Sequence, residues 1–353
     1  MTVPADLLGR LLRGDRAALA RAITLIDRRP LEAAAIDAVL APHTGRAATV
    51  GLTGPPGAGK STLVGSLLKS AVRRNERVAV LALDPVSALT RGAVLGDRLR
   101  MEHTTADERV FVRSMTADNG AGGLALATPF AIRALDAAGW PWVLIETVGV
   151  GQTEFEVVEA ATTTVVVLNP GAGDEVQAVK AGLLEMADIF VINKADRAGT
   201  QATRLDLERT VSQLPPTAWR PPIVETVASE DRGTDDVWEA IAAHRAHLLQ
   251  TGAMAQRQQR LLRLALRRLV SAQLDARIES TLKTAEFTRM IAAVQAGESD
   301  LNQAGAALLA GVLSRAAVQV LDVVGGRLLD RRKLEIIANI RQRAFRPEQA
   351  RYG

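Results

Sequence analysis

Between residues 48 and 227 short apolar runs alternate with longer stretches of helical period. The runs are 48–53 (ATVGLT), 78–83 (VAVLAL), 142–147 (WVLIET), 164–168 (TVVVL), 189–193 (IFVIN) and 223–227 (IVETV). They are nearly continuous Val/Ile/Leu rather than alternating, as parallel strands covered on both faces require. Helical segments separate them and a last one is predicted over 234–249, so the pattern predicts an α/β fold, a doubly wound and mostly parallel sheet.

On either side of this region the period changes. Residues 5–42 repeat at helical spacing (Leu7, Leu8, Leu11, Leu12, Ala18, Ile23, Ile26) with Pro30 as a break, and Pro42 with His43-Thr44-Gly45 marks a boundary. After Gly252 no strand candidate remains, and 255–295 and 302–343 read as long helices, Arg-rich on one face. Leu261, Leu262, Leu264, Leu266, Leu269, Val270 and Leu274 suit packing on another helix. The expected parts are an N-terminal helical segment (1–45), an α/β domain (46–250) and a C-terminal helical arm with an extension (251–353).

Composition narrows the function classes. Of 353 residues 48% are hydrophobic and 23% charged, which excludes a wholly disordered chain. No run approaches about 18 apolar residues, and the first thirty are charged and amphipathic. Neither a membrane span nor a signal peptide is expected, and the protein is read as cytoplasmic. Net charge is only +4, and with 11 aromatics there is little for stacking bases, so no nucleic-acid partner is expected. The absence of Cys removes disulfides, thiolate metal sites and cysteine nucleophiles. His244 and His247 are three apart with no third ligand nearby, which reads as a solvated helix face. Only six of the 43 basic residues are Lys.

Two of those lysines sit in motifs. Gly54-Pro55-Pro56-Gly57-Ala58-Gly59-Lys60-Ser61-Thr62 fits G-x(4)-G-K-[ST] between a predicted strand and a predicted helix. Such a loop wraps backbone N–H groups around a β-phosphate, its Lys bridges the β- and γ-phosphates, and its Ser hydroxyl suits Mg²⁺. A chance match somewhere in the chain is on the order of one in a hundred before that context is demanded. Asn193-Lys194-Ala195-Asp196 ends a later apolar run. A carboxylate at Asp196 can accept from guanine N1–H and the 2-amino group, donors that adenine does not pair, so the motif predicts GTP over ATP. Asn193 can tie this loop to the phosphate loop, the Lys194 stem can lie along the base, and the amides of Val227, Ala228 and Ser229 can face guanine O6.

Between these motifs lie Leu83-Asp84-Pro85-Val86-Ser87, Leu95-Gly96-Asp97, Glu146-Thr-Val-Gly149-Val-Gly-Gln152-Thr-Glu154 and Pro170-Gly-Ala-Gly-Asp174-Glu175. With GPPGAGKST and NKAD, the set resembles the MeaB/ArgK group of P-loop GTPases over about residues 7–310. These are G-protein chaperones of adenosylcobalamin-dependent acyl-CoA mutases, methylmalonyl-CoA mutase being the best-known client. The resemblance implies that Glu146 ends the Walker B-type strand, that Gly149 donates its N–H to the γ-phosphate, and that Asp84 and Asp97 are switch-region acids. Ser61, Asp84, Asp97 and Glu146 become the expected Mg²⁺ ligands or water-positioning groups. Asp174 and Lys180 fall in the segment by which the family senses its mutase.

It further implies GTP/GDP and Mg²⁺ as cofactors without a tightly held cobalamin, a homodimer built by the helical arm, and nucleotide-gated loading and repair of a B12 mutase. Val86 and Val227 stand where Ser is common, and about forty residues after 313 run past the usual end. The rival readings are a nickel/cobalt metallochaperone GTPase, which usually uses Cys/His clusters this chain lacks, and an amino-acid-transport-linked kinase.

Overall fold

The computed structural model describes residues 5–84, 107–116, 123–147, 157–171, 184–213 and 218–324. Contacts divide the chain into two compact units, Met1–Leu269 and Val270–Gly353.

In the first unit, strands β1 (Ala48–Thr53), β2 (Val78–Asp84), β3 (Val110–Thr116), β4 (Trp142–Thr147), β5 (Thr163–Leu168), β6 (Ile189–Asn193) and β7 (Ile223–Thr226) form one sheet. Its order is β3-β2-β4-β1-β5-β6-β7, and every pairing among the described residues is parallel. β1, β4, β5 and β6 are buried along their whole length, which is why the middle of each is apolar and the polar residues lie toward the ends. β3 is the strand that the apolar pattern does not predict. It is an edge strand, and Arg113 and Ser114 interrupt its apolar run.

Helices cover both faces. α1 (Ala5–Leu12), α2 (Arg16–Arg28) and α3 (Ala34–Leu40) share one core with α5 (Gly123–Ala137). Asp15 caps α2 by accepting from the N–H groups of Ala17 and Ala18, so that helix starts where its apolar stripe does. Leu11, Leu19, Ile23, Ile26 and Ile36 meet Ala131, Leu135 and Trp140 in that core. On the opposite face α4 (Lys60–Arg73) and α7 (Thr234–Gln250) pack over β1, β2, β4, β5 and β6. α6 (Thr200–Gln213) lies against β6 and β7.

His244 departs from the expected solvated face. It is fully buried, on the same side of α7 as Val237, Ile241 and Leu248. Its Nδ1 meets the Thr163 hydroxyl at 2.9 Å, its Nε2 lies 3.3 Å from Asp188, and Trp219 packs on the ring at 4.8 Å. Asp188 also takes two 2.7 Å hydrogen bonds from Arg257, on α8 (Ala253–Leu282). Burial pushes the His244 pKa down to about 4; Asp188 opposes that shift, while Arg257 and His247 reinforce it. The ordinary value is 6.5, so between about pH 6.5 and 4 the unfolded chain binds a proton that the folded chain excludes. Stability is therefore expected to fall as pH drops through that window. Urea midpoints measured from pH 7 to 4 should decline less steeply for His244→Gln, and equal slopes would contradict the assignment.

In the second unit the predicted 255–295 helix is two helices. α8 ends at Leu282, and Thr284 caps α9 (Ala285–Gln295) by accepting from the N–H of Phe287. α10 (Leu301–Val324) packs on α9. The rest of the helix expected over 302–343 lies outside the described residues. Among the described residues no helix is long and apolar enough to cross a membrane.

Candidate nucleotide site

The carboxyl ends of β1, β4 and β6 face one loop cluster. β1 ends at Thr53, the loop Gly54–Gly59 follows, and α4 begins at Lys60. Two of the loop's glycines are required by what lies against them. Gly54 has φ +139, and a Cβ there would stand 2.1 Å from the Val167 carbonyl oxygen. Gly59 has φ +87, and its Cβ would meet Asn193 Nδ2 at 2.3 Å. The loop is thus pressed against β5 on one side and the end of β6 on the other.

Lys60 is buried, with its ammonium turned under the loop: Nζ donates to Gly54 O at 2.6 Å and to Pro55 O at 3.1 Å. The first turn of α4 contains no acidic residue, so its exposed N–H groups and helix dipole favour an anion. Ser61 donates its hydroxyl hydrogen bond to the Glu146 carboxylate. Glu146 is buried near the end of β4, paired in register with Leu52 of β1. Two hard oxygen donors therefore meet beside the phosphate loop, the kind of donor set Mg²⁺ prefers. Among the described residues there is no group of three His, Asp or Glu that could hold a metal by itself. Thr53 and Thr147, at the ends of β1 and β4, are fully buried, and their hydroxyls meet no partner among the described residues.

Asp84 is the last residue of β2, one step beyond Leu83, which pairs with Thr147 of β4. Its backbone reaches the same edge of the sheet; its side chain is not among those described. Asp97, Gly149, Asp174 and Lys180 lie outside the described residues.

Asn193 organises the other half of the site. It is buried at the end of β6, and its Nδ2 donates to Ala58 O at 2.9 Å. Its Oδ1 accepts from the Thr226 hydroxyl and the Ala228 N–H, each at 3.1 Å. One amide side chain thus joins the phosphate loop to the turn after β7. Lys194 has φ +58 and donates to Gly57 O at 2.6 Å, a carbonyl that Asn169 Nδ2 also approaches at 3.3 Å. Asp196 is exposed, on a turn held by Ala195 N to Thr226 O at 2.9 Å. The N–H of Val227 is taken by Arg232 O at 3.0 Å and that of Ala228 by Asn193, so two of the three amides expected to face the base already have protein acceptors.

Asn169 and Thr226 were not singled out as site residues by sequence. Both follow or end a strand, and strand ends at the carboxyl edge are where an α/β sheet gathers its ligand contacts.

The profile of the family described as Methylmalonyl Co-A mutase-associated GTPase MeaB matches residues 19–283. A protein of Pyrococcus abyssi (strain GE5 / Orsay), provisionally named a GTPase, is 43% identical over 84% of this chain and 92% of its own length. The GTPase ArgK of Escherichia coli (strain K12) is 35% identical over 71% of this chain and 79% of its own. Among solved structures, a LAO/AO transport system kinase superposes with a TM-score of 0.64 at 27% identity, covering 89% of this chain and all of that one.

Proposed function

We propose that this chain, which belongs to the MeaB family of methylmalonyl-CoA mutase-associated GTPases, hydrolyses GTP to GDP and phosphate and uses the bound nucleotide to gate cofactor loading and repair of a B12-dependent acyl-CoA mutase. The observation that carries the nucleotide reading is Asn193, whose side chain fastens the phosphate loop and the turn after β7 to the strand that ends in Asn-Lys-x-Asp. Phosphate and base would then be read by one rigid unit. Family membership supports the mutase as client.

In this reading the N–H groups of residues 54–62 wrap the phosphates, and Lys60 exchanges the carbonyls of Gly54 and Pro55 for β- and γ-phosphate oxygens. Asp196 accepts from guanine N1–H and the 2-amino group, and the stem of Lys194 lies along the base. Gly149 donates its N–H to the γ-phosphate, and Asp84, Asp97 and Glu146 orient water. Ser61, Glu146, Asp84 and Asp97 are the residues that would hold a Mg²⁺ ion, which would supply charge neutralisation on the phosphates. Val150 occupies the place directly after Gly149 where a Gln could align water, so unaided turnover should be slow. Asp174 and Lys180 belong to the segment through which the mutase is sensed. The working form is a cytoplasmic homodimer that holds no cobalamin tightly.

The test is turnover of GTP, with ATP as control, by the protein alone and with the cobalamin-dependent mutase of the same genome. We expect slow GTP hydrolysis that the mutase raises at least about tenfold. Fast hydrolysis that ignores the mutase would remove the chaperone role. Preference for ATP would favour a transport-linked kinase and overturn the guanine reading.

A further inference from the structure

The turn that follows β7 is secured at both ends, and only its first anchor is Asn193. Its far end is Asp231, a non-glycine residue held in the left-handed backbone region at φ +54. The Asp231 carboxylate accepts from the Ser66 hydroxyl at 2.7 Å and from Lys69 Nζ at 3.0 and 3.1 Å. Ser66 is itself buried and within 2.8 Å of the Thr234 hydroxyl. Ser66 and Lys69 belong to α4, the helix that begins with Lys60 and Ser61.

Between the two anchors the turn is closed. Val227 and Arg232 exchange backbone hydrogen bonds, N to O at 3.0 and 3.3 Å. Gly233 follows at φ +73, where an added Cβ would strike Glu225 O at 2.2 Å. A shift of Asp231 must therefore carry Ala228 and Ser229 with it.

Holding α4 against α7 does not need Asp231. Further along, Ser70 and Arg73 bind Asp235, and Arg74 binds Glu239 at 3.0 Å. What Asp231 does is fasten the far end of the turn to the phosphate-loop helix by hydrogen bonds. Partial burial works to raise the Asp231 pKa, but the Ser66 and Lys69 hydrogen bonds outweigh it and lower the pKa, so the anchor is ionised at neutral pH.

We infer that Asp231 is a positioning residue for base recognition: by clamping the turn Val227–Glu230 to Ser66 and Lys69 of α4, it sets the distance between the groups that read guanine O6 and those that hold the phosphates. This rests on the nucleotide reading above.

The test compares three diphosphates on the full-length protein: GDP, inosine diphosphate, which keeps O6 and N1–H, and 6-thioguanosine diphosphate, which keeps N1–H and the 2-amino group but puts a weakly accepting sulfur in place of O6. Asp231→Asn tolerates the left-handed backbone and leaves Ser66 an acceptor, but removes the charge that holds Lys69. It should weaken GDP and inosine diphosphate about tenfold, the scale of one charge-assisted hydrogen bond, and change the 6-thio ligand less than about twofold. Lys69→Met, on an exposed side chain, should show the same split and carries the comparison if Asp231→Asn fails to fold. Equal losses on all three ligands, or none, would show a merely structural clamp and overturn the inference while a guanine-selective wild type leaves the nucleotide reading standing. A wild type that does not prefer GDP to ADP would sink both.

Discussion

Lys60→Ala is expected to lower GTP turnover by about a thousandfold, the scale of removing one preorganised donor to developing phosphate charge. The ammonium is buried and sits on the carbonyls of Gly54 and Pro55, inside the curve of the loop. Phosphate oxygens entering that curve offer it stronger, charged acceptors than two peptide carbonyls do. The gain grows as charge moves onto the γ-phosphate and the leaving oxygen, so the loss should appear in kcat more than in GDP affinity.

The loop should survive the substitution. Its path is set by Gly54 against Val167, by Gly59 against Asn193, and by the Asn193 bond to Ala58. Two carbonyls lose a partner, which costs about 1–3 kcal/mol if water does not replace it. Single-turnover hydrolysis with saturating GTP, next to a thermal melt, separates these effects. A folded variant that turns over within about tenfold of wild type would remove Lys60 from the chemistry.

What the amino-acid pattern revealed follows from how local each feature is. β1, β4, β5 and β6 were legible because burial on both faces leaves the middle of each strand apolar. β3 was not, because an edge strand tolerates Arg113, whose guanidinium reaches the Thr24 hydroxyl at 2.8 Å on α2. The break after Leu282 is the work of one capping threonine, a signal easily lost inside a long Leu/Ala/Arg pattern. His244 was read as solvated from its spacing to His247, and the helix face was misassigned because its partners, Thr163, Asp188 and Trp219, come from elsewhere in the chain.

The candidate site divides in the same way. The phosphate loop and the Asn-Lys-x-Asp turn are contiguous strings whose residue types are imposed by backbone geometry and ligand chemistry, so they stand out in a single chain. The Ser66–Asp231 clamp joins residues 165 apart in sequence, and neither end is an unusual residue in its own segment. Only the fold brings Asp231 to α4. Its conformation, a left-handed aspartate two residues before a left-handed glycine, is the local trace of a turn held there.

Asp196→Asn should reverse the choice of base. Asp196 is exposed, whereas Asn193 is buried and committed to three protein partners. Substitution at 196 therefore changes recognition without disturbing the scaffold: the turn is kept by Ala195 N to Thr226 O and Arg197 N to Lys194 O, both backbone bonds. A carboxylate presents two acceptors to guanine N1–H and the 2-amino group. An asparagine presents one acceptor and one donor, so its amide N–H₂ opposes the 2-amino group of guanine and one of the two donors is left unpaired under the base. Xanthine carries a carbonyl oxygen at that position and accepts from the amide. Relative affinity for GDP over xanthosine diphosphate should fall by on the order of 10³, below the largest discriminations known because Asp196 sits at the solvent edge. ADP should bind neither form well, since adenine offers no N1–H to either side chain. Dissociation constants for the three diphosphates on wild type and variant decide the matter. A variant that keeps its preference for GDP would move base recognition away from Asp196, onto the turn held between Asn193 and Asp231.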